Sequence, residues 1–397
     1  MDEIKLSDDA IEQIKDFVHD DLTEEQNSLI DKLILNEKLK ERYKKYDLCY
    51  KCSQINTGRN YYRSSIWEDG WIFFNDNGQL GRDNNTKVAL KFLHNSQDIT
   101  ADFLKEIESN ILACDPSSGL VVRCFGIAKD PKTNNFMMVM KLKECSLRQH
   151  LDINFDSLSW HDKLILLYCV SYGLDDIHNS GLIHHDFHCG NLLSNFGIAY
   201  ITDLGLCQLA NVKSSQNDKE KIYGVLPYVA PEVLRGKEYT QESDIYGFGI
   251  IAYEICTGLP PYHDIPHDEF LAMKICNGLR PKSNYKIPQL IFDIINQCWD
   301  ADPSKRPKAV ELHKLYDDLR YNCVQSPLSC TGTLSYTTHP QAIYTSRLLD
   351  FKNLPEPKNA DNNVDLIKKE YSELFLPNLT LILKMKVIKS DYLNDII

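Results

Sequence analysis

The chain has no hydrophobic run of membrane-spanning length. The best candidate, Leu374 to Ile388, is short and is interrupted by Pro377, Lys384 and Lys386, where a spanning helix needs about 20 apolar residues. The N-terminus is acidic and has no apolar stretch of signal-peptide type. Positive charge is scarce as well: 44 Lys and Arg face 56 Asp and Glu, for a net −12 at pH 7. Nucleic acid and anionic membrane both select basic surfaces, so neither is expected as the main partner. Paired cysteine motifs are almost missing. The 13 cysteines are scattered, and Cys169, Cys256 and Cys276 stand in apolar periodic stretches, as reduced core residues do. Cys49-x-x-Cys52 offers half of a tetrahedral zinc site, but no second pair follows and the next cysteine is Cys114. A cytoplasmic protein is the expectation.

What is present is a core and a chemistry. The 397 residues are 43% hydrophobic, enough for a two-lobed domain with extensions. Leu182 to Leu193 read L-I-H-H-D-F-H-C-G-N-L-L, and Ile201 to Gly205 read I-T-D-L-G. Asp186 thus precedes Asn191 by five positions, and Asp203 follows soon after. Phosphoryl transfer needs this set: one carboxylate for the hydroxyl proton, and an amide oxygen with a second carboxylate for Mg²⁺. Apolar residues bracket both segments and predict short buried strands that hold the polar groups at a cleft mouth. Lys91 lies mid-strand with apolar neighbours, where an unpaired ammonium is costly, so it needs a carboxylate.

These segments resemble the protein kinases. His184-His185-Asp186 with Asn191 is similar to H-R-D-x-x-x-x-N, Asp203-Leu204-Gly205 to D-F-G, and Val88-Ala89-Leu90-Lys91 to V-A-I-K, while Ala230-Pro231-Glu232 is A-P-E unchanged. Ser243 to Gly249 resembles the start of the large helix behind the catalytic loop. Cys298-Trp299-Asp300 and Arg306-Pro307 resemble the end of the domain in the tyrosine-kinase-like group. Asn56-Thr57-Gly58 and Asp186-Phe187-His188 resemble a large fungal branch of that group.

The resemblance implies an α+β, two-lobed protein-kinase-like fold. A small, mostly β N-lobe, shortened here, would span 55–140, and a mostly α C-lobe 144–320. It implies ATP and Mg²⁺ as cofactors and a protein substrate, with serine and threonine hydroxyls favoured over tyrosine. Asp186 would be the catalytic base or orienter. Lys91 would pair with Glu106 and point at the nucleotide phosphates; Glu108 is the competing partner. Asn191 and Asp203 would hold the metal. Met140, Lys141 and Lys143 would belong to the hinge that takes the adenine edge by backbone groups, with Met140 limiting pocket depth. Glu232 would pair with Arg306, and Asp244 would brace the catalytic loop.

Around this domain, residues 1–54 are a charged helical extension. Ile11, Ile14, Phe17 and Val18, then Leu29, Ile30, Leu33 and Ile34, fall at helix spacing. Two amphipathic helices packed on the domain are expected across 8–46, with a helical partner contact as the alternative. Inside the domain, Tyr61–Trp67 and Trp71–Phe74 flank Glu68-Asp69-Gly70 and predict a hairpin. Ala101 to Leu112 and a helix opening at Ser159, with Asp162 three positions on, have helical patterns. Residues 321–397 turn rich in Ser, Thr, Pro and Asn and read as a poorly ordered tail.

Three departures separate the chain from the family pattern. No G-x-G-x-x-G stands two strands before Lys91; Gly58, Gly70, Gly78 and Gly81 are isolated or in G-x-x-G. His185 replaces the arginine that pairs with a phosphorylated activation segment, which argues against control at Ser214, Ser215 or Tyr223. His188 and Val225 replace a lysine and a threonine of the serine/threonine members, which leaves the acceptor preference open. A kinase-like binding module with weak or no catalysis is therefore the alternative function.

Overall fold

A computed structural model describes residues 23–34, 61–74, 79–92, 101–114, 118–131, 134–210, 222–282, 285, 287–322 and 336–359. The expectations for Ile11 to Val18, Cys49 and Cys52, Asn56 to Gly58, Gly78, Ser214, Ser215 and Leu374 to Ile388 lie outside the described residues. No helix among the described residues is long and apolar enough to cross a membrane.

Before the domain, α1 (Glu24–Leu33) begins with a capping box. The Thr23 hydroxyl accepts from the Gln26 N–H at 3.2 Å, and the Gln26 side chain accepts from the Thr23 N–H at 2.9 Å. Ile30 and Ile34 are its buried residues.

The small lobe holds β1 (Tyr61–Trp67), β2 (Trp71–Phe74), β3 (Leu80–Asp83), β4 (Thr86–Phe92), α2 (Ala101–Ala113), β5 (Cys124–Lys129) and β6 (Phe136–Lys141). The main sheet has the order β1-β4-β6-β5, all antiparallel. The expected β1–β2 hairpin does not form. Tyr61 pairs with Phe92 and Trp67 with Thr86, so β1 lies along the whole of β4, and β2 pairs with β3 instead. The Asn85 N–H donates to the Glu68 carbonyl at 3.0 Å and closes the β1–β4 ladder. The intervening β2–β3 hairpin projects as an insertion. Gly70 is the crossing point: its φ is +62°, and a Cβ there would lie 1.7 Å from the Asp83 carbonyl oxygen. Outside the sheet, the Trp71 ring stacks on Phe125 at 6.0 Å, and the Arg123 guanidinium covers Trp71 at 5.0 Å.

The large lobe follows the hinge. It contains β7 (Cys145–Ser146), α3 (Leu147–Asn154), α4 (Trp160–Asn179), β8 (Leu182–Ile183), β9 (Leu192–Asn195), β10 (Ile198–Ile201), β11 (Gln208–Leu209), β12 (Ile222–Gly224), α5 (Pro231–Leu234), α6 (Gln241–Thr257), α7 (Glu269–Cys276), α8 (Gln289–Cys298) and α9 (Ala309–Asn322). Ser159 and Asp162 cap α4 reciprocally, at 3.2 and 2.9 Å. Every residue of α6 from Ser243 to Thr257 is buried, so this helix is the lobe's axis. It stops at Gly258, whose φ of 72° supplies the left-handed cap. Cys169, Cys256 and Cys276 are buried free thiols, and burial pushes the first two up to about 11 and about 12.

Residues 336–359 depart from the expected poorly ordered tail. They cross the front of the large lobe, and β13 (Arg347–Leu349) pairs antiparallel with β12. Composition misleads here because the segment is held largely by groups that composition does not weigh. The His339 N–H donates to the His263 carbonyl at 2.7 Å, the Lys358 N–H to Cys276 at 2.8 Å, and Arg235 to the Leu354 carbonyl at 3.2 Å. Leu349 and Leu354 then bury their side chains in the large-lobe core.

Two buried features support the large lobe beneath the activation segment. Arg306 donates to both oxygens of Glu232, at 2.7 and 2.8 Å, and to the carbonyls of Asp300 and Glu242, both at 2.9 Å. Glu232→Ala leaves that guanidinium uncompensated and should cost about 3–5 kcal/mol; thermal and urea unfolding measure it, and an unchanged midpoint would show the pair to be energetically silent. At Gly249 a Cβ would come 2.6 Å from Trp299 Nε1 and 2.8 Å from Cys298 Cβ. Gly249→Ala should therefore lower the same unfolding midpoint, by about 1–3 kcal/mol of overpacking strain.

Candidate active site

β4 carries Lys91 through the centre of the small-lobe sheet, opposite Met138 of β6. Its side chain is 1% exposed and is paired twice. The ammonium donates to Glu106 Oε1 of α2 and, at 2.7 Å, to Asp203 Oδ1 of the large lobe. Glu106 is buried, while Glu108, two positions on, is exposed. Asp203 sits at φ 65°, ψ 63°, a left-handed conformation that costs energy in a non-glycine residue and persists where the surroundings hold it. Gly205 lets the Glu106 carboxylate come close, since a Cβ there would meet Glu106 Oε2 at 3.1 Å.

Asp186 and Asn191 stand on the loop between β8 and β9. Asn191 Nδ2 donates to the Asp186 carbonyl at 2.9 Å and to Asp186 Oδ2 at 3.3 Å. That commits the amide nitrogen and leaves the amide oxygen as the acceptor. Burial works to raise the Asp186 carboxyl, but the His188 ring, with hydrogen bonds from His188 and Ser346, holds it down at about 2. Asp244 accepts the backbone N–H of His184 at 2.7 Å and of His185 at 3.2 Å, and so ties the loop to α6. The His185 ring stacks on Tyr239 at 4.4 Å. Burial pushes His185 down to about 4, so the ring is neutral at physiological pH and offers no cation to a phosphorylated segment.

Where the lobes join, a slot open to solvent is lined by Ala89, Val122, Met140, Lys141, Leu142, Lys143, Glu144, Cys145, Leu193 and Thr202. Met140, Lys141 and Lys143 therefore share one wall of a largely apolar slot next to Asp203. The Lys143 ammonium does not enter solvent. It lies 3.0 Å from the Tyr200 ring centroid, and burial, with Lys141 nearby, pushes it down to about 7.

Two site residues had no assigned role in the sequence reading. In the sequence His188 marks a branch resemblance and stands where a lysine is usual. Its Nδ1 accepts the Gly190 N–H at 3.1 Å, so the proton resides on Nε2, which faces Asp186 Oδ2 at 3.5 Å. Ser346, 160 residues beyond Asp186 in the chain, donates its hydroxyl hydrogen bond to Asp186 Oδ2. No local motif marks it, because its position follows from the β12–β13 pairing. Among the described residues no cluster of three or more His, Cys, Asp and Glu could hold a metal on its own. Asn191 and Asp203 together offer the two hard oxygen donors that Mg²⁺ accepts when phosphate and water complete its shell.

A protein tyrosine and serine/threonine kinase family model matches residues 71–315. The protein kinase and PP2C-like domain-containing protein of Arabidopsis thaliana is 29% identical over 259 residues, covering 56% of this chain and 39% of that protein. In Dictyostelium discoideum, the probable serine/threonine-protein kinase roco5 is 29% identical over 238 residues, 55% of this chain and 8% of that one. The dual specificity protein kinase pyk3 of the same organism is 29% identical over 238 residues, 59% of this chain and 17% of its own. The match thus spans well under half of each relative's length. With the motifs in order and the ionic groups gathered at one cleft, the chain belongs to the protein tyrosine and serine/threonine kinase family.

Proposed function

We propose that the chain is an ATP-dependent protein kinase that transfers the γ-phosphoryl group to serine and threonine hydroxyls of proteins. The observation that carries this reading is the convergence of Lys91, Glu106 and Asp203 in one ion cluster above Asp186 and Asn191. The apolar slot from Ala89 to Thr202 takes the adenine, with backbone groups of 140–143 on its edge. Lys91, fixed by Glu106, meets the nucleotide phosphates. Asn191 and Asp203 hold Mg²⁺, which supplies positive charge to the phosphate oxygens when bound. Asp186, ionised at physiological pH, accepts the proton of the acceptor hydroxyl, and His188 Nε2–H orients that hydroxyl from the other side. A small-molecule phosphotransferase fits less well, since Ala230-Pro231-Glu232 and the strand β12 offer a shelf for a peptide. The absence of G-x-G-x-x-G favours the second reading, a binding module with weak or no catalysis. We further place the protein in the cytoplasm, from its acidic balance and its buried free thiols.

Asp186→Asn should abolish transfer to a generic acceptor protein while the circular dichroism spectrum and melting profile stay those of the parent; undiminished transfer would remove Asp186 from its role. Weak nucleotide affinity is the second expected outcome. Hydrogen bonds from backbone N–H groups to charged phosphates contribute about 1.5–3 kcal/mol each, so losing two weakens binding about a hundredfold or more. Calorimetric titration with Mg²⁺ should show ATP and adenosine binding with similar, modest affinities. Tight ATP binding with weak adenosine binding would show that another segment supplies the phosphate contacts, and no Mg²⁺-ATP binding by folded protein would favour the binding module.

A further inference from the structure

The peptide shelf is already occupied by the chain itself. β13 adds a strand to β12 in the register Ile222–Leu349, Tyr223–Leu348 and Gly224–Arg347. Edge addition of this kind is how extended peptides are commonly held: main-chain bonds give affinity, and alternate side chains enter pockets. The side chains here are seated on both sides of the strand's start. Tyr344 donates its hydroxyl to the Pro261 carbonyl at 2.9 Å and sets its ring edge-on to His267 at 4.9 Å. Arg347 reaches the His267 carbonyl, and Leu349 is 2% exposed. Between Tyr344 and Leu349 lies Ser346. Its hydroxyl donates to Asp186 Oδ2 and stands 3.3 Å from His188 Nε2, which carries the ring's proton. The serine hydroxyl thus directs its proton at a carboxylate, as a phosphoacceptor attacking with general-base assistance requires.

We propose that residues 336–359 are a tethered substrate and that Ser346 is the chain's own phosphoacceptor, modified in cis; this rests on the protein kinase reading. In the transfer, Ser346 Oγ forms the new bond to the γ-phosphorus of ATP. The bond from that phosphorus to the β,γ-bridging oxygen breaks, and its electron pair leaves with ADP. The hydroxyl proton passes to Asp186 Oδ2. The product phosphoserine carries about −1.5 to −2 charge at pH 7. It stands against the Asp186 carboxylate, which already accepts the Ser346 hydrogen bond. Like-charge repulsion then drives β13 off β12. Until that happens, a segment carried on the same chain competes at an effective concentration that dilution of the protein does not lower. Other proteins are held off Asp186, which is 8% exposed with the segment in place.

The test uses the full chain, freed of phosphate with a phosphatase that is then removed. It is incubated with Mg²⁺-ATP at protein concentrations spanning about two decades, with dephosphorylated casein in parallel, and phosphosites are mapped by mass spectrometry. Phosphate should appear at Ser346 with a first-order rate that does not change with protein concentration, and Ser346→Ala should lose that site. Hydrogen exchange on the chain without nucleotide should show slow amides at Tyr223 and Leu348, and both should become fast in Ser346→Glu. Casein phosphorylated while Ser346 stays unmodified would overturn the proposal and leave the kinase reading standing. A Ser346 rate that rises in proportion to concentration would overturn modification in cis, and fast exchange in the unmodified chain would overturn the docked strand. Transfer to neither Ser346 nor casein would overturn the kinase reading and this proposal with it.

Discussion

The rest of the structure depends on one buried cation. Lys91 is 1% exposed and lies between carboxylates from two lobes. An ammonium removed from water without partners is strongly destabilising, and removing one partner of a buried pair costs about 3–5 kcal/mol. The small-lobe sheet must therefore keep α2 turned so that Glu106 faces inward. The large lobe must likewise present Asp203 in an unfavourable backbone conformation. The ion cluster couples the strand that borders the nucleotide slot to the loop that follows β10. It also sets where Asn191 and Asp186 sit, since the Thr202 N–H donates to the Asn191 carbonyl at 3.0 Å.

A second constraint shapes the large lobe. Asp244, on the buried stretch of α6, takes two backbone N–H groups of the catalytic loop, and His178 of α4 approaches the same carboxylate at 3.0 Å. Loop geometry is thereby referred to the most rigid part of the lobe rather than to solvent-exposed turns. The left-handed φ of 68° at His185 is held there by the stacked Tyr239 ring. A neutral His185 makes the site less cationic than an arginine there would. That suits a hydroxyl acceptor which is positioned by hydrogen bonds rather than drawn in by charge.

Much of this was legible in the sequence where local chemistry decides the outcome. The buried end of α6 follows from Phe248 to Cys256, which is almost wholly apolar and is stopped by Gly258, and α4 from Ser159 and Asp162 at capping distance. Lys91 announced its need for a partner by its apolar neighbours. The strand pairing of the small lobe was not legible, because Glu68-Asp69-Gly70 has the composition of a tight turn. Only the β1–β4 ladder shows that Gly70 is a crossing between two sheets. The docked segment was equally hidden. Its Ser, Thr and Pro content resembles an unstructured tail, while its hold comes from backbone groups and two leucines meeting a surface built from distant parts of the chain, from Asp186 to Cys276.

Crystallography of the protein with Mg²⁺ and a non-hydrolysable ATP analogue tests the central claim most directly. The account predicts the base between Ala89 and Leu193, the phosphates against Lys91, a metal ion ligated by Asn191 and Asp203, and the γ-phosphate turned towards Asp186 and Ser346. A folded protein whose slot stays empty at millimolar analogue, or whose metal ion binds away from Asn191 and Asp203, would contradict it.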